Sequence, residues 1–219
     1  MLANTCLKEE KKMTKTTDKK TFFKKVIITL ISVLFMGITL SILKIINWGM
    51  DSFSHMNVSI ANTIGWSLGN WQILLNVLMF IPVIIWGRKQ IGIGTVFNMV
   101  LIGYTVDFCT WIWDMLNVAS WLNHIVVRVI VMLITVVVFV IAAATYMSSE
   151  LGTAPFDALP MMISEKLPKV PFEVVRFVWD LIAVLIGFVL SGKVGIVTIL
   201  MVLFLGQTVE LVRKKMMRE

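Results

Sequence analysis

Four polar residues in the first half of the chain are spaced so that a helix would carry them on one face. They are Asp51, His55, Ser59 and Asn62. Their intervals of four, four and three residues match the helical repeat, and apolar residues occupy the other face. His55 read alone is a hydrogen-bonded packing residue, whereas a carboxylate one turn before an imidazole makes the imidazole a candidate proton carrier.

A second polar segment begins with glycine and proline. Residues 152–168 read GTAPFDALPMMISEKLP. Pro155 suits a first helical turn because it lacks an N–H that would be unpaired there, and Thr153 is placed to cap that helix. A helix start held inside a membrane offers free N–H groups to an anion, a carboxylate or a carbonyl-rich ligand. The candidate ligand-binding residues are therefore Asp51, His55, Gly152, Pro155 and Asp157. The alternative is that the glycine and proline shape a turn and that both aspartates cap helices at headgroup level.

Charges also interrupt the apolar run 172–190. Glu173, Arg176 and Asp180 share one helical stripe. Asp180 lies about 12 Å along the predicted helix, and an ionised aspartate in hydrocarbon costs at least ~2.5–3.5 kcal/mol. We therefore predict a buried charge pair between Arg176 and Asp180. Such a pair either couples transport to a proton or cation, or simply fixes helix packing.

The composition is that of an integral membrane protein. Hydrophobic residues make up 58% of the chain and charged residues 15%, whereas soluble domains are about 45–50% apolar. The net charge of +7 is concentrated in the tails 1–25 and 213–219, which places both termini in the cytoplasm by the positive-inside rule. Neither tail interleaves aromatic residues with its charges in an RNA-binding pattern, so nucleic-acid binding is not expected.

The apolar pattern predicts an all-α, polytopic membrane helix bundle with six confident spans. They are 26–46, 71–87, 91–108, 128–147, 172–190 and 194–212. The segments 49–69 and 152–167 are each a short re-entrant helix or a further crossing. Six crossings put Arg88, Lys89, Lys166 and Lys169 inside and leave only Lys193 misplaced, so charge favours six. The linker 109–127 has no lysine or arginine and is predicted to lie outside.

Glycines, threonines and an acid recur at a constant offset of 103 residues. The pairs include Gly49 with Gly152, and Asp107 with Glu210. We interpret 26–108 and 128–212 as two repeats, and three spans in each repeat invert the second. The recurring residues Gly92, Thr95, Gly103, Gly195, Thr198 and Gly206 are predicted to pack at the repeat interface. For Asp107 and Glu210 we expect a solvated or capping role.

The segment Leu151-Gly152-Thr153-Ala154-Pro155-Phe156-Asp157 carries a family resemblance, together with Val194-Gly195-Ile196-Val197-Thr198 and Gly206. With these elements the chain resembles the YczE/YyaS/YitT family of small bacterial membrane proteins over most of 26–212. Here Val197 replaces a usual glycine, and Met50-Asp51-Ser52 lacks the proline. The resemblance implies a bacterial cytoplasmic membrane protein and transfers no ligand residues.

The leading functional hypothesis is a transporter, or the substrate-binding membrane component of one, for a small polar or anionic solute. The alternative is a non-transporting scaffold or regulatory subunit that binds other membrane proteins or further copies of itself. Neither HExxH nor GxSxG occurs, so an enzyme is not expected. Cys6 and Cys109 fall on opposite sides of the predicted topology, and we predict no disulfide, metal or cofactor. The expected partners are the lipid bilayer and a small solute.

Overall fold

A computed structural model describes the backbone of residues 2–87, 90–190 and 192–216, and the side chains of residues 19–87, 90–190, 192–208 and 211. The described side chains do not include those of Cys6, Arg88, Lys89 and Glu210. They also do not include the charged residues of the predicted tails up to residue 18 and from residue 212. The regular elements in the described ranges are all helices. They are α1 Leu2–Ile46, α2 Ser52–Ile64, α3 Leu68–Trp86, α4 Ile93–Met115, α5 Val118–Trp121, α6 Ile125–Ser148, α7 Pro155–Lys166, α8 Phe172–Val189 and α9 Ile196–Met216.

Four of the described helices are long and apolar enough to cross a membrane. They are the part of α1 from Lys19 to Ile46, α3, α4 and α6. The helix α8 is also apolar but carries three charged residues, Glu173, Arg176 and Asp180, and α9 contributes a shorter apolar helix, Ile196–Thr208. The predicted short segments form α2 and α7, whose 13 and 12 residues span only about 20 Å. That length falls short of the ~30 Å hydrocarbon core.

The outer surface of the bundle is apolar and much of its interior is polar. Leucine, isoleucine, valine and phenylalanine side chains of α3, α6 and α8 face outward. Several buried hydroxyls are satisfied within their own helices, as when Thr29 donates to Lys25 C=O and Thr135 donates to Val131 C=O. This distribution is the one expected of helices surrounded by lipid, where each backbone and side-chain polar group needs an internal partner.

The helices α6 and α9 run antiparallel to α1 and α4. α1 and α4 are parallel, because Gly37 packs on Thr105 and Trp113 Nε1 donates to Ser41 Oγ at 2.8 Å. α6 is antiparallel to α1, since its C-terminal end brings Glu150 Oε2 to 3.4 Å from Lys25 Nζ. α9 begins beside Trp48, just after the end of α1, and therefore also runs against α1.

Two loops hold the halves together through a pair of contacts that we call the crossed loop contacts. In the first, the residues after α1 pack on the start of α9, and the Val197 N–H donates to Trp48 C=O at 3.0 Å. In the second, the residues after α6 pack on the start of α4, and the Gly94 N–H donates to Leu151 C=O at 2.8 Å. Both donors and both acceptors are separated by 103 residues, the offset seen in the sequence.

Glycine is required in both crossed loop contacts. Gly49 and Gly152 have φ values of 101° and 102°, a region that residues with a Cβ rarely adopt. A Cβ on Gly49 would overlap Thr198 Oγ1, and a Cβ on Gly152 would overlap Thr95 Oγ1. The crossed loop contacts therefore depend on both the backbone freedom and the small volume of glycine.

Replacing Gly49 or Gly152 with alanine is expected to destabilise the protein more than the same change at Gly65. Gly65 also has a positive φ, of 71°, but open space surrounds it. Gly65→Ala should cost only the conformational term of about 1–2 kcal/mol, whereas the other two variants also force Thr198 or Thr95 to move. Melting temperatures of the purified variants in detergent would measure this. Equal melting of Gly49→Ala and Gly65→Ala would contradict the packing argument.

The helix directions also predict which loops share a side. Cysteines placed at Ser120 in α5 and at Lys193 in the loop after α8 should be modified by an impermeant maleimide from the outside of intact cells. Lys169 should be modified only after permeabilisation, because α7 ends beside α3 at the opposite side, with Lys166 Nζ 4.8 Å from the Trp86 ring. The measurement uses Ser120→Cys, Lys193→Cys and Lys169→Cys with both native cysteines replaced by serine. Modification of all three from one side would contradict the arrangement.

Candidate functional site

The N-terminal ends of α2 and α7 meet inside the bundle. The rings of Phe53 and Phe156 lie 4.5 Å apart between centroids, and these residues are again 103 positions apart. The Trp179 ring of α8 lies 5.6 Å from the Phe156 ring. The two short helices thus start from one buried aromatic contact, which brings their polar first turns into the same region.

Arg176 links the two short helices to α8. Its Nη1 lies 2.6 Å from Asp157 Oδ1 on α7, and its Nε lies 3.0 Å from Asp180 Oδ2 one turn further along α8. The other oxygen of Asp180 accepts a hydrogen bond from the Ser52 hydroxyl on α2 at 2.6 Å. The guanidinium also lies over the Phe156 ring at 5.5 Å. One cation therefore connects α7, α8 and, through Asp180, α2.

Asp51 and His55 are both buried, with 8% and 4% of their surfaces exposed. Asp51 is the N-cap of α2, and its Oδ2 accepts the Ser54 N–H at 3.0 Å. Asp51 Oδ1 and His55 Nε2 have no hydrogen-bond partner among the described residues. These two atoms are thus not bonded to each other, because the cap turns the carboxylate back toward the first turn of its own helix. Asn62, on the same predicted face, is exposed.

The first turn of α7 differs from that of α2. Its N-cap is Ala154, which has no side chain able to cap, and buried Pro155 occupies the first helical position. The predicted cap by Thr153 is wrong, because its hydroxyl donates to Gln90 Oε1 at 3.3 Å. Asp157 does not cap either, since Arg176 holds its carboxylate.

The predicted packing residues occupy three different environments. Gly92, Thr95, Gly195 and Thr198 lie in the crossed loop contacts between the halves. Gly103 packs on Gly69 and Gln72 of its own half, so its assignment to the interface between halves needs correction. The assignment of Gly206 is also wrong, because no atom of the described chain lies within 4 Å of a Cβ built there.

Asp107 caps a helix other than its own. Its two carboxylate oxygens accept the N–H groups of Leu68 and Gly69, at 3.2 and 2.7 Å, where α3 begins. Unpaired N–H groups at a helix start are satisfied here by an acid from α4, a tertiary contact that sequence spacing does not reveal. Glu210, its counterpart at the 103-residue offset, lies outside the described side chains.

Sequence reasoning missed Lys44 as a residue of the interior. This half-buried lysine near the end of α1 lines a narrow gap together with Ser54 and Gln72. Its position close to the end of an apolar run is equally compatible with an interfacial lysine that reaches the headgroups. The available sequence signal was the polar pair Gln72 and Asn76 on α3. Both residues are buried, and Gln72 lines the same gap as Lys44, so this side of α1 faces protein.

An open cleft of about 810 Å³ leads from the surface toward this region. Its walls come from the loops after α1 and after α8, and include Trp48, Gly192 and Lys193. Gly192 packs directly against the His55 ring and the Ser59 hydroxyl. Among the described residues, Gly192 thus lies between the cleft and the polar face of α2.

The charges around this region do not balance. Asp51, Asp157 and Asp180 contribute three carboxyl groups, and Arg176 supplies the one guanidinium that the described contacts place among them. Like charges in a buried site repel strongly unless a proton or cation joins them. This environment favours a proton or a positively charged group over a free anion.

Comparison with known proteins places the chain in a family. Residues 23–214 match the model described as "Family of unknown function (DUF6198)", and the chain belongs to that family. It is 29% identical to "Uncharacterized membrane protein YczE" of Bacillus subtilis (strain 168) over 158 residues, which cover 72% of this chain and 70% of the relative. It is 27% identical to "Uncharacterized protein YyaS" of the same organism over 175 residues, covering 78% and 83%. No solved structure matches the chain significantly.

Removing the Arg176 charge should destabilise the bundle. Arg176→Met leaves Asp157 and Asp180 without their cation, and breaking a buried ion pair from one side costs about 3–5 kcal/mol. The melting temperature in detergent should fall clearly, whereas Lys169→Gln, which removes an exposed charge, should change it little. Combining Arg176→Met with Asp157→Asn and Asp180→Asn should recover part of the loss. An Arg176→Met variant as stable as the Lys169→Gln control would contradict the bridging role.

Proposed function

We propose that this protein transports a small polar solute across the bacterial cytoplasmic membrane, or binds that solute as the membrane component of a transporter. The observation that carries the proposal is the convergence of two short helix N-termini with the buried or half-buried side chains of Asp51, Asp157, Arg176 and Asp180, close to an open cleft. Interrupted helices that meet inside a bundle are the usual sites of secondary transporters.

We further propose that the two halves are inverted repeats with three crossings each. The opposite directions of α1 and α6, and the crossed loop contacts at a 103-residue offset, support this proposal. In the same arrangement α2 packs on α8 while its counterpart α7 packs on α3. Repeats related in this way let one half move against the other so that a central site opens to each side in turn.

The charge of the site narrows the solute class. An anion entering this region would meet three carboxyl groups and one arginine that already binds two of them. A solute with an ammonium group would instead be attracted to the free oxygen of Asp51. A zwitterion could also direct its carboxylate to the uncapped start of α7. We therefore favour a small cation or zwitterion over the anionic solute expected from the helix starts alone.

Solute binding and flux should depend on the carboxyl groups of the site. A thermal-shift screen of the purified protein with small amines, amino acids, organic acids and sugars is expected to give hits among the amines or amino acids. Uptake of the radiolabelled hit into proteoliposomes should be lost in the Asp51→Asn/Asp157→Asn double variant and kept in Asp114→Asn, which neutralises an exposed acid. Unchanged uptake in the double variant would overturn the assignment of this site.

The same purified material tests the scaffold alternative. Recovery of one membrane protein in a fixed ratio, with no hit in the screen and no bound small molecule by mass spectrometry, would favour a scaffold. Recovery of the protein alone with a specific hit would favour transport.

A further inference from the structure

We propose that Asp51 is a proton-binding carboxyl group that exchanges its proton with the open cleft by way of His55. This inference goes beyond the proposed function, because it names the coupling ion. It rests on the proposed function only for the use that transport makes of the proton.

The first step of the argument is the state of the Asp51 carboxyl. One oxygen caps α2, and the other has no hydrogen-bond partner among the described residues although only 8% of the Asp51 surface is exposed. A buried carboxylate oxygen without a donor is costly, whereas a carboxylic acid needs only to place its O–H there. Binding a proton requires one free oxygen, while a metal cation requires several oxygen ligands.

The second step is the set of charged groups that face Asp51. Asp180 of α8 and Asp157 of α7 lie close enough to interact with the Asp51 charge, Arg176 of α8 contacts both of those acids, and His55 follows Asp51 on α2. Lys44 of α1 borders the gap that Ser54 lines, and Tyr146 of α6 lies near Asp157. Arg176 contacts both Asp157 and Asp180, and Ser52 gives Asp180 a further donor. Among the described side chains, Asp51 is the one acid of the three with no group of opposite charge in contact, so it is the acid that gains most from a proton.

The third step is a route for the proton. His55 lies one turn beyond Asp51, about 6 Å along the helix axis. Its Nε2 has no hydrogen-bond partner among the described residues. Gly187 and Gly192 pack on the imidazole, and Gly192 also lines the open cleft. An imidazole that can accept a proton on one nitrogen and release one from the other is suited to pass protons between the cleft and the buried acid.

The consequence for the fold involves Arg176. When Asp51 holds its proton, Arg176 faces two carboxylates, both of which it binds. Loss of the proton adds a third negative charge at the start of α2, which competes for the same guanidinium. The proton on Asp51 therefore biases how tightly Arg176 holds α7 and, through Asp180 and Ser52, α2 to α8, a contact that a transport cycle would have to change.

Carbodiimide labelling tests the proton site without any solute. Dicyclohexylcarbodiimide adds to a protonated carboxyl group in an apolar environment and ends as a stable N-acylurea. Peptide mapping of the labelled full-length protein in liposomes should find the adduct at Asp51, with less labelling as pH rises, and none at Asp157 or Asp180. Asp51→Asn should lose the adduct and Asp51→Glu should retain it.

Several outcomes would overturn the proposal. Absence of the adduct from the wild-type protein would do so, as would an adduct on Asp157 or Asp180 instead, or labelling that does not respond to pH. Protection by Na⁺ or K⁺ at constant pH would assign the site to a metal cation. In a Lys193→Cys variant lacking the native cysteines, a bulky thiol reagent in the cleft should slow labelling, whereas the same reagent on Asp114→Cys should not. Labelling of Asp51 without solute flux would support the proton site and overturn the transport proposal. Solute flux without labelling of Asp51 would support transport and overturn the proton site.

Discussion

The architecture of the site depends on one guanidinium placed among carboxylates inside an apolar bundle. Arg176 contacts Asp157 and Asp180, and Asp180 in turn accepts from Ser52, so three helices that are otherwise held by apolar side chains become linked at one point. In a low-dielectric interior, each of these charges alone would destabilise the fold through its desolvation energy. The attraction between opposite charges offsets this energy when all of them are assembled. The same condition fixes where α2 and α7 begin, because their first turns carry Ser52 and Asp157.

The crossed loop contacts apply a second constraint of the same kind. A backbone that leaves a helix within the bilayer exposes N–H and C=O groups that lipid cannot satisfy. Trp48 and Leu151 place their carbonyl groups against the N–H groups that open the last helix of the opposite half, so an uncapped helix start and a free loop carbonyl satisfy each other. Glycines at 49 and 152 permit the approach. Each half thus completes the hydrogen bonding of the other, which explains why neither loop can be understood from its own half.

Local spacing predicted those features that arise within one helix. The position of Asp180 one turn after Arg176 predicted their proximity. Two of the glycines that recur at the 103-residue offset, Gly49 and Gly152, lie in turns with positive φ. Features that require two elements to meet were not predictable from spacing. Asp157 lies in the first turn of α7 as expected, but Arg176 of α8 holds its carboxylate. Asp107 caps α3 from α4, and Lys44 lines an internal gap. Apolar periodicity locates spans well, but it says little about which face of a span is inside, because lipid and protein interior are equally apolar.

The two halves share a framework but differ in the chemistry they place on it. Asp51 caps α2, and the position 103 residues later is Ala154, which leaves α7 uncapped. Asp157 likewise corresponds to Ser54, and the positions that match Arg176 and Asp180 in α3 are Ile73 and Val77. A symmetric backbone would let two opposite conformations have similar energies, and asymmetric charges would then decide which is preferred. Arg176 lies in one half, and Asp51, which contacts no cation among the described side chains, lies in the other. Under the proposed function, this asymmetry would make that preference sensitive to a single proton or ammonium group.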